Sequence, residues 1–482
     1  MQKFLLIVFI NIVFSVQLFS QLPYNNRYLN AVFDSVTVDT NVVYGTAPAL
    51  AFPYLNESNT ISEDLLVDIY QPFGDTLYKR PLIICAHSGS FLSGSKTNDD
   101  MVDFCDSLAH RGYVAASIDY RLGMNVLSAS SSVRAVYRGL QDGRAAVRFF
   151  KEYADLYHVD TNQIYMLGSS AGSFIALHNM FMDTEEERPP ESYTTPDLGC
   201  LDCSGNSYQH SGKANAVTAL WGGIEDTSLI IATDSLPLFL AHGTADDVVY
   251  FDVGSPFGYP IFPEAYGSWP VSLQRENFSH PAETYFVEGA GHEFYGTDNG
   301  MWGPMGPNAY WDTIFNKADT FFYNVHKPYA AFTSQGFENV YTFFDESNGA
   351  TEWHWDFGDS TYSNEQNPVH EFLKGGRYKV TQMVLNPLMS WDTTSAFIDI
   401  FVSVKEVKQS TVTVWPNPVK NILNLSEDFD FGYILDSEGK TIKKFYQTKQ
   451  LDVSSLPPAI YFVSIISGNK QQVIRIVKQT QR

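Results

Sequence analysis

Positive charge is scarce in this chain. It carries 31 lysines and arginines against 54 aspartates and glutamates over 482 residues, a formal net charge of −23. Such a balance repels polyanions, which excludes nucleic acid and anionic membrane surfaces as partners. The acidic residues form no run that would read as a tail. Cysteine is scarcer still, with four in the whole sequence: Cys85, Cys105, Cys200 and Cys203. Cys200 and Cys203 stand in the turn-rich segment GCLDCSG, where an oxidising compartment would close a small disulfide loop. A zinc site there lacks ligands, because only His210 lies near, and no metal is expected elsewhere. Cys85 ends an apolar strand and Cys105 sits in a helical stretch; a pair of buried thiols and a second bridge are equally open readings. Long apolar runs are also lacking, apart from the N-terminal MQKFLLIVFINIVFSVQLFSQ. Asn11 and Gln17 break that run and leave it short for a bilayer, so stable membrane insertion is not expected. With Lys3 ahead of it and Ser20 at a cleavable end, it reads as a signal peptide over residues 1–20, and no nearby cysteine offers a lipid attachment point.

What is present describes a folded, multidomain protein: 44% hydrophobic and 15% aromatic residues, with 33 glycines and 23 prolines. From residue 65 to about 326, short apolar runs alternate with helical stretches. Pro81–Ala86, Tyr113–Ile118, Gln163–Leu167, Ala216–Trp221 and Leu236–Ala241 read as buried parallel strands, and Val133–Tyr157 repeats apolar residues at helical spacing. This predicts an α/β domain over 21–327 with a mainly parallel sheet and flanking helices. After Pro328 the helical signal stops. Short alternating runs broken by Gly, Asn, Asp and Ser predict a small β-sandwich over 328–405, and a second all-β domain follows over 411–482.

The segment QIYMLGSSAGSFIAL holds Gly168-Ser169-Ser170-Ala171-Gly172, a G-x-S-x-G pentapeptide that follows a strand and opens a helix. That context is what a nucleophilic serine on a sharp turn requires, with Ser170 central and Ser169 pointing elsewhere. A serine hydroxyl needs a histidine base, and the base a carboxylate to fix its tautomer. Downstream, HGTADDVVYF follows one strand and GAGHEF another, both on loops where catalytic groups collect in open α/β sheets.

In this order the motifs resemble an α/β-hydrolase of the carboxylesterase or lipase-like type, a group that includes esterases removing acetyl or feruloyl groups from plant polysaccharides. The resemblance assigns Asp246 as the acid, with Asp247 as runner-up, and His292 as the base; His242 serves its loop. CAHSGSF resembles the H-G-G-G motif of esterases, with Ser88 and Ser90 replacing two glycines. This implies an oxyanion hole of Ser88, Gly89 and the Ala171 amide, with Ser90 as a source of a hydroxyl contact. IDYRLG and LLVDIYQP resemble the same group, and Asp119 with Arg121 reads as a structural pair. The implied chemistry is acyl transfer on an ester substrate without a cofactor. Two insertions, 183–213 and 251–270, are expected to shape the pocket. WHWDFGDS, NPVHEF and GGRYKVTQMV resemble a PKD domain, in which the Trp packs in the core and Asp356 and Asp359 shape turns rather than bind calcium. VTVWPNPVKNILNL and the strands after it resemble the C-terminal sorting domain of type IX secretion cargo, with Pro458 and Ala459 where a glycine is usual. That implies export to the cell surface or medium through the type IX machinery. Two other readings compete: a serine peptidase of the prolyl-oligopeptidase type, and an inactive surface adhesin or polysaccharide-binding protein.

Overall fold

The computed structural model describes residues 26–401, 412–426, 428–467 and 470–480; the leader over 1–20 and the join between residues 405 and 411 lie outside them. The chain forms two compact units, Met1–Ile400 and Phe401–Arg482.

The first unit is built on an eight-stranded sheet. Its strands are β1 (Val36–Leu50), β2 (Thr60–Pro72), β3 (Arg80–Ala86), β4 (Val114–Ile118), β5 (Val159–Ser169), β6 (Ala216–Leu220), β7 (Leu238–Gly243) and β8 (Glu283–Val287). They lie in the order β1-β2-β4-β3-β5-β6-β7-β8. From β4 to β8 all neighbours are parallel, and β1 and β2 join antiparallel at one edge. Every residue of β3, β4, β6 and β7 is buried, as apolar runs covered on both faces must be. The predicted parallel strands are all present, and β5 extends well beyond Gln163–Leu167. Periodicity does not mark β1, whose first half is mostly exposed.

Helices α1 (Asp99–His110), α2 (Ala129–Glu152), α3 (Ala171–Phe181), α4 (Ser268–Asn277) and α5 (Ala309–His326) cover the sheet. Alternate strand residues feed two cores. Ile84 and Met166 pack with Phe149 of α2 and Ile175 of α3. Ile83, Cys85 and Leu167 pack on the other face with Phe104 of α1 and Phe322 of α5. Cys85 and Cys105 are buried free thiols, and Cys200 and Cys203 form the short disulfide loop.

Two expectations are corrected. Asp119 and Arg121 do not pair. Arg121 forks onto Asp142 at 2.8 Å with both side chains almost wholly buried, while Asp119 accepts the Lys96 amide at 2.7 Å. The insertion 183–213 supplies no lining to the cleft beside Ser170. It is strapped along α2 instead: Arg144 and Arg148 each meet Asp202 at 2.8 Å, and Gln141 donates to the Leu198 carbonyl at 2.9 Å. A helix carrying four arginines on its buried side needs such acceptors, which explains the polar, turn-rich composition of the insertion.

Residues 332–400 form two small antiparallel sheets closing on Phe343, Trp355, Phe357 and Phe372. Trp355 is buried and donates Nε1–H to the Glu365 carbonyl. Asp356 accepts the Gly358 amide and Asp359 accepts from Thr361 and His370, so both carboxylates are taken up by turns. This sandwich docks on the end of α5. Tyr323 donates to the Trp391 carbonyl at 2.6 Å, Asn386 to the His326 carbonyl at 2.6 Å, and Lys327 pairs with Asp392 at 2.9 Å. The second unit has sheets of three and four strands around Val419, Leu423, Val463 and Ile476. Asn417 of its PNP motif donates to the Arg475 carbonyl and accepts the Val477 amide, which ties the opening of the domain to its last strand.

Removing Asp142 strands the Arg121 charge inside the protein. Asp142→Ala is therefore expected to cost about 3–5 kcal/mol in urea denaturation, and Asp119→Asn, which leaves that pair intact, well under half as much.

Candidate active site

Ser170 occupies the single residue between β5 and α3, at φ +52° and ψ −112°. A serine is under steric strain in that region, and the turn persists because its surroundings force it. A Cβ on Gly168 would lie 2.1 Å from the Gly172 carbonyl oxygen, and one on Gly172 would lie 2.0 Å from that of Ala86. Both glycines are therefore required by backbone packing. Ser169 faces away and accepts the indole N–H of Trp221 at 3.0 Å, and Ser173 binds back to the Gly168 carbonyl at 2.6 Å.

The predicted acid and base meet the serine. The Ser170 hydroxyl donates to His292 Nε2 at 2.8 Å, and His292 Nδ1 donates to Asp246 Oδ2 at 2.7 Å. Asp246 lies on the turn after β7, is 4% exposed, and accepts the amides of Val248 and Val249 on its other oxygen. Burial works against its charge, but hydrogen bonds from His242 and His292 prevail and hold its carboxyl at about 2. Asp247, the runner-up, is exposed. His242 is fully buried; its Nε2 faces the Val249 carbonyl and Asp246, and its Nδ1 accepts from Ser268, so it braces the acid loop.

The loop after β3 lies against the nucleophile turn through the Ala86–Gly172 contact. His87 is buried, stacks on Tyr120 and donates Nδ1–H to the Ser88 carbonyl; burial lowers it to about 4, so it is a neutral structural imidazole. Ser88 is fully buried and its hydroxyl points to the underside of the Gly300 turn, away from the cleft. Gly89 at φ +118° and Ser90 at φ +55° then turn the backbone, so that Ser90 lines the same cavity as Ser170 and Ala171. Among the described residues, the amides of Ser88, Gly89, Ser90 and Ala171 have no protein acceptor, and of these residues Ser90 and Ala171 line the cavity with Ser170.

Ser170 opens into a cavity of about 90 Å³ walled by Phe91, Met124, Val133, Val136, Phe174, Val249 and Phe262, with Glu225 and Glu264 as its acids. A wider cleft of about 700 Å³ adjoins it, sharing Ser90, Met124, Phe257 and Phe262 and continuing over Leu127, Tyr259 and Ile261. The insertion 251–270 thus supplies much of both walls, as its aromatic composition suggests.

Sequence reading misses the support of the histidine loop. Asn98 donates to the Asn299 carbonyl, Asp99 accepts the Trp302 amide, Asp103 accepts the Trp302 indole, and buried Asp100 accepts the Tyr295 hydroxyl at 2.7 Å. Gly300 in turn donates to Glu293. The first turn of α1 therefore anchors the segment that carries His292. The only signal in the sequence is a helix start dense in acids, DDMVD, which by itself reads as ordinary dipole compensation.

Comparison with known proteins gives three family matches: BD-FAE over residues 67–228, PKD domain over 331–388, and secretion system C-terminal sorting domain over 413–479. Carboxylesterase 3B of Mus musculus is 35% identical over 118 residues, 24% of this chain and 20% of its own length. Gut esterase 1 of Caenorhabditis briggsae is 33% identical over 96 residues, 20% of this chain and 17% of its own length. The chain thus spans about a fifth of the curated relatives it matches. Among solved structures, the apo form of Thermogutta terrifontis esterase 2 is 19% identical with a TM-score of 0.42, over 60% of this chain and 95% of its own. The chain carries an α/β-hydrolase domain matched by the BD-FAE model, then a PKD domain and a type IX secretion sorting domain. The last of these marks a secreted or cell-surface protein. Among the described residues, no helix is long and apolar enough to cross a membrane.

Burial, with repulsion from Glu293 added and the Tyr295 hydroxyl opposing, pushes Asp100 up to about 8. The folded state then holds a proton that the unfolded chain releases near pH 4, so this group's contribution falls as pH rises from about 4 to 8. Asp246 acts in the opposite sense and lower: its contribution is complete above about pH 4 and is lost as pH falls towards 2. Asp100→Asn keeps a polar side chain without the ionisation, so its thermal midpoint should decline less than the wild type's as pH is raised from about 5 to about 9. Scanning calorimetry across that range checks this.

Proposed function

We propose that this chain is a secreted serine carboxylic-ester hydrolase. The observation that carries the reading is the continuous bond path Ser170–His292–Asp246, ending on a serine at the mouth of an apolar cavity. His292 takes the Ser170 proton as Oγ attacks the ester carbonyl, and Asp246, ionised, holds the Nδ1–H tautomer and stabilises the imidazolium. The carbonyl oxygen becomes an oxyanion that needs N–H donors. The free amides of Ser88, Gly89 and Ala171 suit that role, and the free amide of Ser90, which lines the cavity, is a further donor of the same kind. His292 then protonates the leaving alcohol, and water attacks the acyl-enzyme by the reverse sequence.

The two cavities divide the substrate. The narrow apolar pocket suits the acyl group, and the wide, open cleft suits a larger alcohol such as an acylated polysaccharide or a lipid backbone. Delivery to the surface follows from recognition of the sorting domain by the type IX machinery, with the polymer outside the cell as the meeting point.

Ser170→Ala and His292→Ala should each lower kcat on p-nitrophenyl esters by on the order of 10⁴-fold or more, and Asp246→Asn by about 10⁴-fold, with folding retained by circular dichroism. Short acyl chains should be preferred to long ones. Equal turnover of matched peptide p-nitroanilides would favour the peptidase reading, and a folded wild-type protein that neither turns over esters nor reacts with a serine-directed phosphonate would favour the adhesin.

A further inference from the structure

Glu225 is out of character with its surroundings. It follows Ile224, which is fully buried and exchanges two backbone hydrogen bonds with Tyr266, so the residue is presented from a fixed loop after β6. Its side chain lines the same cavity as Ser170, among Phe174, Val133, Val136 and Phe262. No lysine, arginine or histidine lines that cavity, and the charge felt nearest is that of another acid, Glu191. Among the described residues, Glu225 has no hydrogen-bond or ion-pair partner. Its companion Glu264 is exposed, whereas Glu225 is half-buried and is reached through the cavity.

A half-buried carboxylate against these apolar walls gains from a cation or donors, and the protein supplies neither. Burial accordingly pushes the group up to about 8, so at neutral pH it is a carboxylic acid with an O–H to donate. A neutral donor without a protein partner, facing a largely apolar cavity, gains from a ligand that brings the missing acceptor and penalises one that does not.

We propose that Glu225 is the specificity-determining residue of the acyl pocket, and that it selects an uncharged acyl group whose apolar body carries a hydrogen-bond-accepting oxygen. The inference rests on the ester-hydrolase reading for its reaction, and it concerns which acyl group the site prefers. Glu225 makes no bond to the reacting atoms; it binds the acyl group away from the scissile carbonyl.

The test uses two p-nitrophenyl esters of matched shape, 3-methoxypropanoate and pentanoate, which differ by one oxygen in place of a methylene. The measured quantity is the ratio of their kcat/KM values in the full-chain wild type, Glu225→Gln and Glu225→Leu, so that intrinsic ester reactivity cancels between proteins. Glu225→Leu should lower the ratio about 10-fold, as expected for one buried hydrogen bond. Glu225→Gln, which keeps an N–H donor in the same outline, should hold it within about 3-fold of wild type. An unchanged ratio in Glu225→Leu overturns the proposal, as does a wild-type preference for an acyl ester ending in a quaternary ammonium, which would make Glu225 an anion. Ligand-detected NMR on Ser170→Ala protein with 3-methoxypropanamide and pentanamide reads the pocket without turnover. Preferential, Glu225-dependent binding of the methoxy amide by a protein inert on all esters would sink the hydrolase reading alone, and equal binding of both amides would sink the selectivity.

Discussion

Ser170 at φ +52° and ψ −112° stores strain of roughly 1–3 kcal/mol, and the architecture of the site follows from what keeps it there. Three backbones converge without side chains between them: β3 at Ala86, the end of β5 at Gly168, and the first turn of α3 at Gly172. One close approach fixes the nucleophile turn, and the next presses the loop from His87 to Ser90 against it. The proposed nucleophile and oxyanion donors are thus positioned by the same contact. Any side chain at Gly168 or Gly172 would separate them together.

The rest of the site is a matter of sorting carboxyl groups by environment. Asp246, buried behind His292, and Glu225, in the wall of the cavity beside Ser170, are driven in opposite directions, to about 2 and about 8. The difference is a count of donors: Asp246 receives two amides and two imidazoles, and Glu225 receives none. On the proposed mechanism, one is thereby kept as the anion that an imidazolium requires, and the other as a neutral acid suited to holding an uncharged oxygen. A third, Asp100, is kept protonated beneath the histidine loop, where its bond from Tyr295 and the neighbouring contacts of α1 hold an irregular segment in place.

Much of this was legible because it is local. The G-x-S-x-G turn, the buried parallel strands and the helix over Ala129–Glu152 are written in short-range patterns of size and apolarity, and the Trp355 core and the turns at Asp356 and Asp359 likewise. What was not legible depends on contacts between distant segments. Arg121 chooses Asp142 over Asp119 because α2 brings the former under its guanidinium. Ser88 turns away from the cleft because the Gly300 turn, far along the chain, gives it room below. Glu225 follows a strand in WGGIED with nothing to distinguish it from a loop acid; only the cavity built by Phe174, Val133 and Phe262 makes it unusual.

The position of the PKD sandwich follows from the direction of the helices. In a parallel sheet the catalytic loops leave the C-terminal ends of the strands, and a helix running back across the sheet finishes at the other end. His326, at the end of α5, accepts the Tyr113 hydroxyl on Nε2 at 3.2 Å, and Tyr113 immediately precedes the first residue of β4. The end of α5 therefore lies at the N-terminal edge of the sheet, and the bonds from Tyr323, His326 and Lys327 to Trp391, Ser390 and Asp392 hold the sandwich there. Ser170, Asp246 and His292 all follow the C-terminal ends of their strands, at the opposite edge. The sandwich accordingly lines neither cavity. On the proposed ester-hydrolase reading, any effect of the sandwich on turnover comes from how it holds the hydrolase domain relative to a substrate-bearing surface, and selectivity belongs to the walls of the two cavities.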